Sequence, residues 1–190
     1  MSRMRKFMCL AVLAIALPSS AQKPEAGNWD LGVYAGGGTS VPGGTRDVQL
    51  FSAGIRLGKV LTGDHGPGLL RGNFEYAVEG IPVFVVFQNG GTYGAGFDPV
   101  ILKWNFANSR RAVPFLELTG GTLFSSSEVP AGTSSVNFRT GAGLGFHIFG
   151  GGNKAATFEV KYEHISNAGL ATPNPGINTV QFRLGLNRFK

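Results

Sequence analysis

The sequence predicts an all-β protein, an eight-stranded antiparallel transmembrane β-barrel. Three observations carry this prediction: long segments of alternating apolar and polar residues, an export signal at the N-terminus, and the lack of a long apolar helix in the remaining chain. Alternation with a period of two places successive side chains on opposite faces of a strand. Long strands that are apolar on one face and charged on the other suit a barrel whose outer surface contacts lipid.

The clearest alternation lies at residues 136–148, which read VNFRTGAGLGFHI. Phe138, Leu144 and Phe146 share one face, whereas Arg139 and His147 share the other. Eight such segments are predicted, at 29–37, 48–61, 69–81, 92–106, 112–124, 136–149, 157–166 and 178–189. Eight strands enclose an interior that side chains can fill, so we expect no open pore.

The two faces of these segments predict where charged and aromatic residues lie. The polar faces predict an ionic network inside the barrel, formed by Arg71, Glu75, Lys103, Glu117, Arg139, Glu159, Lys161, Glu163 and Arg183. Aromatic residues near strand ends predict girdles at the two membrane interfaces. These residues are Trp29, Tyr34, Trp104, Phe106, Phe149 and Phe189.

The first residues have the layout of a secretory signal peptide. A basic start is followed by an uncharged apolar run that ends at Leu17, and small residues at 19 and 21 precede the expected cleavage site. The run is too short to span a bilayer. We therefore predict a signal peptide at 1–21 and an outer-membrane barrel at 22–190.

The composition excludes several classes of site. Cys9, the single cysteine, lies in the predicted signal peptide, which excludes disulfides and a thiol nucleophile from the mature chain. The chain has 17 Lys and Arg against 11 Asp and Glu, and three basic residues lie in the signal peptide, leaving a charge of +3. This charge is too weak and too dispersed to predict nucleic-acid binding, although it can attract phosphorylated lipid head groups.

Neither a metal nor another cofactor is predicted. The three histidines fall on different strands or strand ends, which does not suit a metal site. The glycine-rich stretch GAGLG at 141–145 lies within a strand and opens no helix, so it does not indicate a nucleotide cofactor.

Connection lengths predict the orientation of the barrel. Short connections near 62–68, 107–111 and 150–156 alternate with longer ones near 37–47, 125–135 and 167–177. Outer-membrane barrels have short periplasmic turns and longer extracellular loops. With both chain ends in the periplasm, His164 and Ser166 lie at the outer end of the seventh strand, level with the outer leaflet.

Polar residues converge on the apolar face at this outer end. His164 and Ser166 share the parity of Tyr162, and Asn178 shares that of the outward residues of the eighth strand. An unpaired polar group facing lipid is costly. From these residues alone, two interpretations stay open. The pair can contact head groups at the rim, or the histidine can act as a base that activates the serine.

The stretch YEHISNAGLATPNPGIN, residues 162–178, resembles the signature of the lipid A 3-O-deacylases (the PagL family). These are outer-membrane barrels that remove the ester-linked 3-hydroxy acyl chain from lipopolysaccharide. The resemblance implies that His164 is the general base and Ser166 the nucleophile. The family has its orienting acid fourteen residues after the histidine, where this chain has Asn178, so we expect an amide to orient His164.

The resemblance also implies the groups that stabilise the oxyanion. These are Asn167 and the backbone at Ala168 and Gly169. The implied substrate partner is lipid A of lipopolysaccharide in the outer leaflet, the implied location is the outer membrane, and a homodimer is compatible with this arrangement.

Two alternatives stay open besides this serine esterase. One is a non-catalytic outer-membrane barrel of the same lineage, with a structural or surface-contact role. The other is a soluble β-barrel binder in the periplasm.

Overall fold

Eight antiparallel strands close into one barrel in the computed structural model, which describes residues 23–88, 91–107, 109 and 111–190. Each strand pairs with its neighbours in the chain, and the first pairs with the last. The strands are β1 (Trp29–Val41), β2 (Gln49–Val60), β3 (Gly72–Phe87), β4 (Thr92–Phe106), β5 (Ala112–Ser125), β6 (Val136–Phe149), β7 (Lys154–Ser166) and β8 (Ile177–Phe189). The predicted signal peptide lies outside the described residues.

The predicted fold class is confirmed, and the third strand differs most from its predicted bounds. Residues Gly68–Leu70 form a 3₁₀ turn, so β3 begins at Gly72 rather than at 69. Gly68 has a φ of +50°, a left-handed conformation that a strand does not use. At its other end β3 continues to Phe87, because the apolar run from Ile81 pairs with both neighbouring strands.

The outer surface of the barrel is apolar. In β6, for example, Leu144 and Phe146 are 63% and 51% exposed, whereas Arg139 and His147 are buried inside. The strands have 12 to 16 residues, more than the roughly 9–11 that a tilted strand needs to cross a bilayer. This apolar exterior contradicts the soluble periplasmic binder, which would turn its apolar face inward. Separately, the described residues include no helix that is long and apolar enough to span a membrane.

The middle of the interior is an ionic network. Glu79 accepts hydrogen bonds from Arg56 at 2.6 Å and from Arg183 at 2.8 Å, and Arg56 also pairs with Glu117 at 2.9 Å. Glu163 pairs with Arg139 at 2.7 Å. The predicted interior charges are confirmed except for Arg71, which is exposed because it lies in the connection before β3. The sequence interpretation missed four interior charges, Asp30, Arg56, Glu79 and Asp98.

Apolar clusters close both ends of the barrel. The end that carries connections 42–48, 88–91, 126–135 and 167–176 is called the loop end, and the opposite end the turn end. At the loop end the cluster consists of Val48, Leu50, Ile81, Phe84, Val86, Leu123, Val129, Ile165 and Ile177. At the turn end it consists of Val113, Phe149, Ala155 and Phe189. The described side chains thus fill the barrel from end to end.

Three of the six aromatic residues predicted to form the interfacial girdles point into the barrel instead. Phe149 and Phe189 are 2% and 1% exposed and pack inside the turn end. Tyr34 also points inward, where the Arg183 guanidinium lies 3.5 Å from its ring centre. The physical reason is their parity, because each shares a face with inward polar residues of its own strand. Trp29 does lie on the outer face.

A polar contact anchors the first described residues to the turn end. Lys23 forms an ion pair with Asp64, and Asn73 donates to the Asp64 carboxylate at 2.9 Å. Partial burial alone would raise the pKa of Asp64, but the hydrogen bonds from Lys23 and Asn73 and the charge of Lys23 hold it below its ordinary value.

Candidate active site on the lipid-facing surface

The candidate site lies where β7 and β8 reach the loop end. His164 and Ser166 are half-buried and share the outward face with Tyr162, while Glu163 and Ile165 between them are buried inside. The predicted orientation of the pair is therefore confirmed. Strand alternation explains it, because side chains two residues apart lie on the same face.

Asn178 lies directly opposite His164 in the β7–β8 register. The Asn178 Oδ1 and His164 Nδ1 atoms are 2.6 Å apart. Because an amide oxygen can only accept a hydrogen bond, Nδ1 carries the proton. The other ring nitrogen, Nε2, then keeps its lone pair and can accept a proton.

The connection at 42–48, which we call loop 1, fixes which way the Asn178 amide points. Asn178 Nδ2 donates to the Pro42 carbonyl oxygen at 3.5 Å. Since a carbonyl cannot donate, the amide nitrogen has to face Pro42, which leaves Oδ1 facing His164. Loop 1 also covers Asn178, so this outward residue is only 8% exposed. The amide is therefore held by contacts on both sides.

Ser166 lies one position further along the same face. Within the described part of the chain, its hydroxyl forms no hydrogen bond with His164 or with another group. Cα atoms two residues apart on a strand are about 7 Å apart, so the two side chains have to turn toward each other. In structures without substrate, hydrogen bonds between catalytic groups are often long or unformed.

Asn167 organises the connection at 167–176, which we call loop 4. Its buried side chain donates to the Ala171 carbonyl at 3.1 Å and accepts from the Gly169 N–H at 2.9 Å. Its own backbone N–H donates to Asn174 Oδ1 at 3.2 Å. The Asn167 amide is therefore engaged within the loop.

The backbone donors predicted to face the oxyanion differ in availability. The N–H groups of Asn167 and Gly169 are already bonded within loop 4. Ala168 is exposed and has a φ of +51°, the left-handed region that few non-glycine residues adopt. Its N–H, two residues after Ser166 in the chain, has no acceptor among the described residues.

Two further residues of the site were not singled out from the sequence. Asn174 supports Asn167, as described above. Gly176 has a φ of +64°, and a methyl group placed on it would lie 2.8 Å from His164 Cε1. The Asn-Pro-Gly sequence at 174–176 was the available signal, because Pro and Gly indicate a tight turn.

The other two histidines lie far from this site. His147 is buried and contacts Thr157 and Lys103. His65 is exposed at the turn end beside Trp104. Within the described residues, no group of three or more His, Cys, Asp or Glu could hold a metal ion.

A closed eight-stranded barrel with an apolar exterior and a filled interior defines an outer-membrane β-barrel protein. The family model of lipid A 3-O-deacylase (PagL) matches residues 66–187. The chain belongs to this family, which acts on lipid A of lipopolysaccharide in the outer membrane.

Solved structures support the same fold. The chain is 22% identical to the outer membrane enzyme PagL, with a TM-score of 0.58, and the match covers 81% of this chain and 97% of the other. Neisserial surface protein A is 14% identical, with a TM-score of 0.54 and coverage of 86% and 97%. The outer membrane protein OprG from Pseudomonas aeruginosa is 12% identical, with a TM-score of 0.55 and coverage of 90% and 99%. A search of curated proteins found no match.

Proposed function

We propose that this protein is a serine esterase that removes the 3-O-acyl chain from lipid A. The single observation that carries the proposal is the hydrogen bond between His164 and Asn178 beside Ser166 on the lipid-facing surface. Membership of the deacylase family supports the substrate class. The roles of the individual residues follow from the chemistry that each group can perform.

In the proposed reaction, the Ser166 hydroxyl attacks the carbonyl carbon of the ester while His164 Nε2 takes its proton. Asn178 acts as a positioning residue, because it holds the proton on Nδ1 and leaves Nε2 free to act as the base. An amide can orient the ring, as asparagine does in Cys-His-Asn sites, although it gives the imidazolium less charge stabilisation than a carboxylate.

The tetrahedral intermediate carries a negative charge that needs a donor. We assign the Ala168 N–H to this role, with Asn167 and Gly169 holding the loop that presents it. Collapse of the intermediate breaks the ester bond, and the departing sugar oxygen takes the proton from His164. Water then hydrolyses the acyl-serine with His164 as base, which releases the fatty acid and regenerates Ser166.

The position of the site suits a substrate that stays in the membrane. The short turns of outer-membrane barrels face the periplasm, which would place the loop end and the site at the outer leaflet. Lipid A could then reach Ser166 from the side of the barrel. This route explains why the interior can be filled with side chains.

The test is mass spectrometry of lipopolysaccharide incubated with the purified, folded protein. We expect release of a 3-hydroxy fatty acid, with the fragment ions assigning the loss to the 3-O position. Ser166→Ala should abolish release, while the matched control Ser135→Ala, an exposed serine in the connection 126–135, should leave it unchanged. Heat-shifted gel mobility should show that every variant forms a barrel. A folded parent that releases nothing would support the non-catalytic alternative.

A further inference from the structure

Loop 1 packs against the candidate active site. Val41, at the end of β1, pairs with Asn178 in the barrel register. The Thr45 N–H donates to the Gly176 carbonyl at 2.8 Å, and the Pro42 carbonyl accepts from Asn178 as described above. Loop 1 is thus tied to loop 4 and has a defined position beside His164.

Loop 1 carries an unpaired cation at this end of the barrel. Arg46 is exposed and forms no ion pair or hydrogen bond among the described residues. In the described parts of the four connections at the loop end, it is the only Lys or Arg. The other charged residues there are Asp47, next to it, and Glu128, whose carboxylate accepts the Gly132 N–H at 3.0 Å.

Arg46 lines a cavity at the end of β1 and the start of loop 1. The cavity has a volume of about 150 Å³ and is lined by Thr39, Ser40, Val41, Pro42, Arg46 and Asp47. Its volume is several times the roughly 30 Å³ that one water molecule occupies in the liquid. A phosphate group can therefore fit.

The cavity lies close enough to Ser166 for one lipid head group to reach both. β1 and β7 are separated by β8 alone, which corresponds to two strand spacings or about 10 Å across the strands. The register places Val41 level with His164, two residues or about 7 Å along the strand from Ser166, and Thr39 two residues further. Thr39 and Val41, two of the lining residues, share the outward parity of β1, which is the face that carries the candidate site. A phosphorylated sugar that places its ester at Ser166 can extend over β8 to Arg46.

We propose that Arg46 and the Thr39 hydroxyl bind a phosphate monoester on the sugar head group of lipid A, and thereby select phosphorylated lipids. The inference rests on the proposed function for the identity of the head group. Arginine suits the role because its planar guanidinium can donate two parallel hydrogen bonds to one phosphate. Asp47 opposes binding by its charge, which limits the affinity.

The test measures binding without turnover. Ser166→Ala protein in detergent micelles is titrated with bisphosphorylated lipid A and with the same lipid after enzymatic dephosphorylation. The phosphorylated lipid should bind about tenfold more tightly, and Arg46→Ala should remove this preference. Arg46→Lys should retain part of it, because the charge remains but the paired geometry is lost. Asp47→Asn should increase the preference for the phosphorylated lipid, because it removes a negative charge beside Arg46.

The matched control is Arg71→Ala, which removes an exposed arginine at the turn end and should leave the preference unchanged. Equal binding of both lipids to the Ser166→Ala protein would overturn the proposal, and so would a preference that survives Arg46→Ala. Competition experiments with inorganic phosphate distinguish a lipid head group from free phosphate as the ligand. Competition only by glucosamine phosphate or phosphorylated lipid supports a head-group site, whereas equal competition by inorganic phosphate would overturn that assignment.

Binding and hydrolysis can fail independently in these experiments. If the protein released no acyl chain but showed the Arg46-dependent preference, the phosphate site would stand and the esterase proposal would fall. If the protein hydrolysed phosphorylated and dephosphorylated lipid A equally, and Arg46→Ala did the same, the esterase proposal would stand and the phosphate site would fall.

Discussion

His164 and Asn178 face each other across the β7–β8 pair, with Nδ1 and Oδ1 2.6 Å apart. Asn178 is fixed in turn by the Pro42 carbonyl of loop 1. This chain of contacts orients the imidazole without a carboxylate. The amide also has a donor that a carboxylate lacks, so the contact with loop 1 depends on asparagine at this position.

We expect the side chain at position 178 to control both the rate and its pH dependence. Asn178→Leu removes the acceptor for His164 and should lower acyl release by about 10²-fold, within the range that a positioned acid–base group contributes. Asn178→Asp keeps the size of the side chain but adds a charge that stabilises the imidazolium. It should therefore move the acidic limb of the pH–rate profile to higher pH.

The measurement is acyl release from lipid A at pH values from about 4 to about 9. This range spans the pH values at which a histidine side chain ordinarily gains or loses its proton. Each variant is checked for barrel formation by heat-shifted mobility. Identical profiles for the parent, Leu and Asp proteins would show that Asn178 does not act on His164.

Gly176→Ala should reduce activity while the barrel stays intact. The added methyl group would lie 2.8 Å from His164 Cε1, so the ring has to move away from its position beside Asn178. Gly152→Ala is the matched control, because Gly152 has the same φ of +64° but no neighbour within 4 Å of the added atom. Both variants carry the backbone strain of a left-handed alanine, and only the first meets the histidine. Equal rates in the two would contradict the assigned position of His164.

Asn167→Ala should loosen loop 4 and slow the reaction. The substitution removes the hydrogen bonds to the Ala171 carbonyl and from the Gly169 N–H, both made by a buried side chain. Hydrogen exchange should speed up in residues 167–176 but not in β7, and acyl release should fall by about tenfold or more. A lower rate with unchanged exchange would instead favour direct contact between the Asn167 side chain and the substrate.

Glu79→Gln should destabilise the barrel, because Glu79 accepts from both Arg56 and Arg183 in the interior. Removing one partner of a buried ionic group typically costs about 3–5 kcal/mol. Urea unfolding of the protein in lipid vesicles measures the loss in the free energy of unfolding. The control Glu128→Gln alters an exposed loop carboxylate and should change this free energy by no more than about 0.5 kcal/mol.

The contact between Lys23 and Asp64 should weaken in acid. In the folded protein the pKa of Asp64 is below its ordinary value of 3.8. The stabilisation that the ionised Asp64 carboxylate gives to this contact is therefore fully present above pH 3.8, and it is lost as the pH falls through the lowered pKa. Protease cleavage near residues 23–28 should therefore increase only in strongly acidic buffer. Asp64→Asn should make the segment equally accessible at neutral and acid pH. If cleavage of this segment in the parent protein did not depend on pH, the Lys23–Asp64 contact would not be what anchors it.

The sequence by itself determined the strands and the faces of most of their residues. Alternation is a local property, because the backbone of an extended chain places successive side chains on opposite sides. Parity was therefore enough to predict that Arg139 lies inside and that Ser166 lies outside. It was also enough to bring His164 and Asn178 onto the same surface, and the signature around them indicated the family.

The tertiary structure decided how residues of different segments meet, beyond the pairing of His164 and Asn178 that the family resemblance implied. The hydrogen bond between His164 and Asn178 requires the β7–β8 register, and the hold on Asn178 requires loop 1, which is more than 130 residues away in the chain. The packing of the Tyr34 ring against the Arg183 guanidinium requires β1 and β8 to pair where the barrel closes. These contacts join distant segments, so they depend on how the barrel closes and on how its loops fold back. Alternation within a single strand contains no information on either.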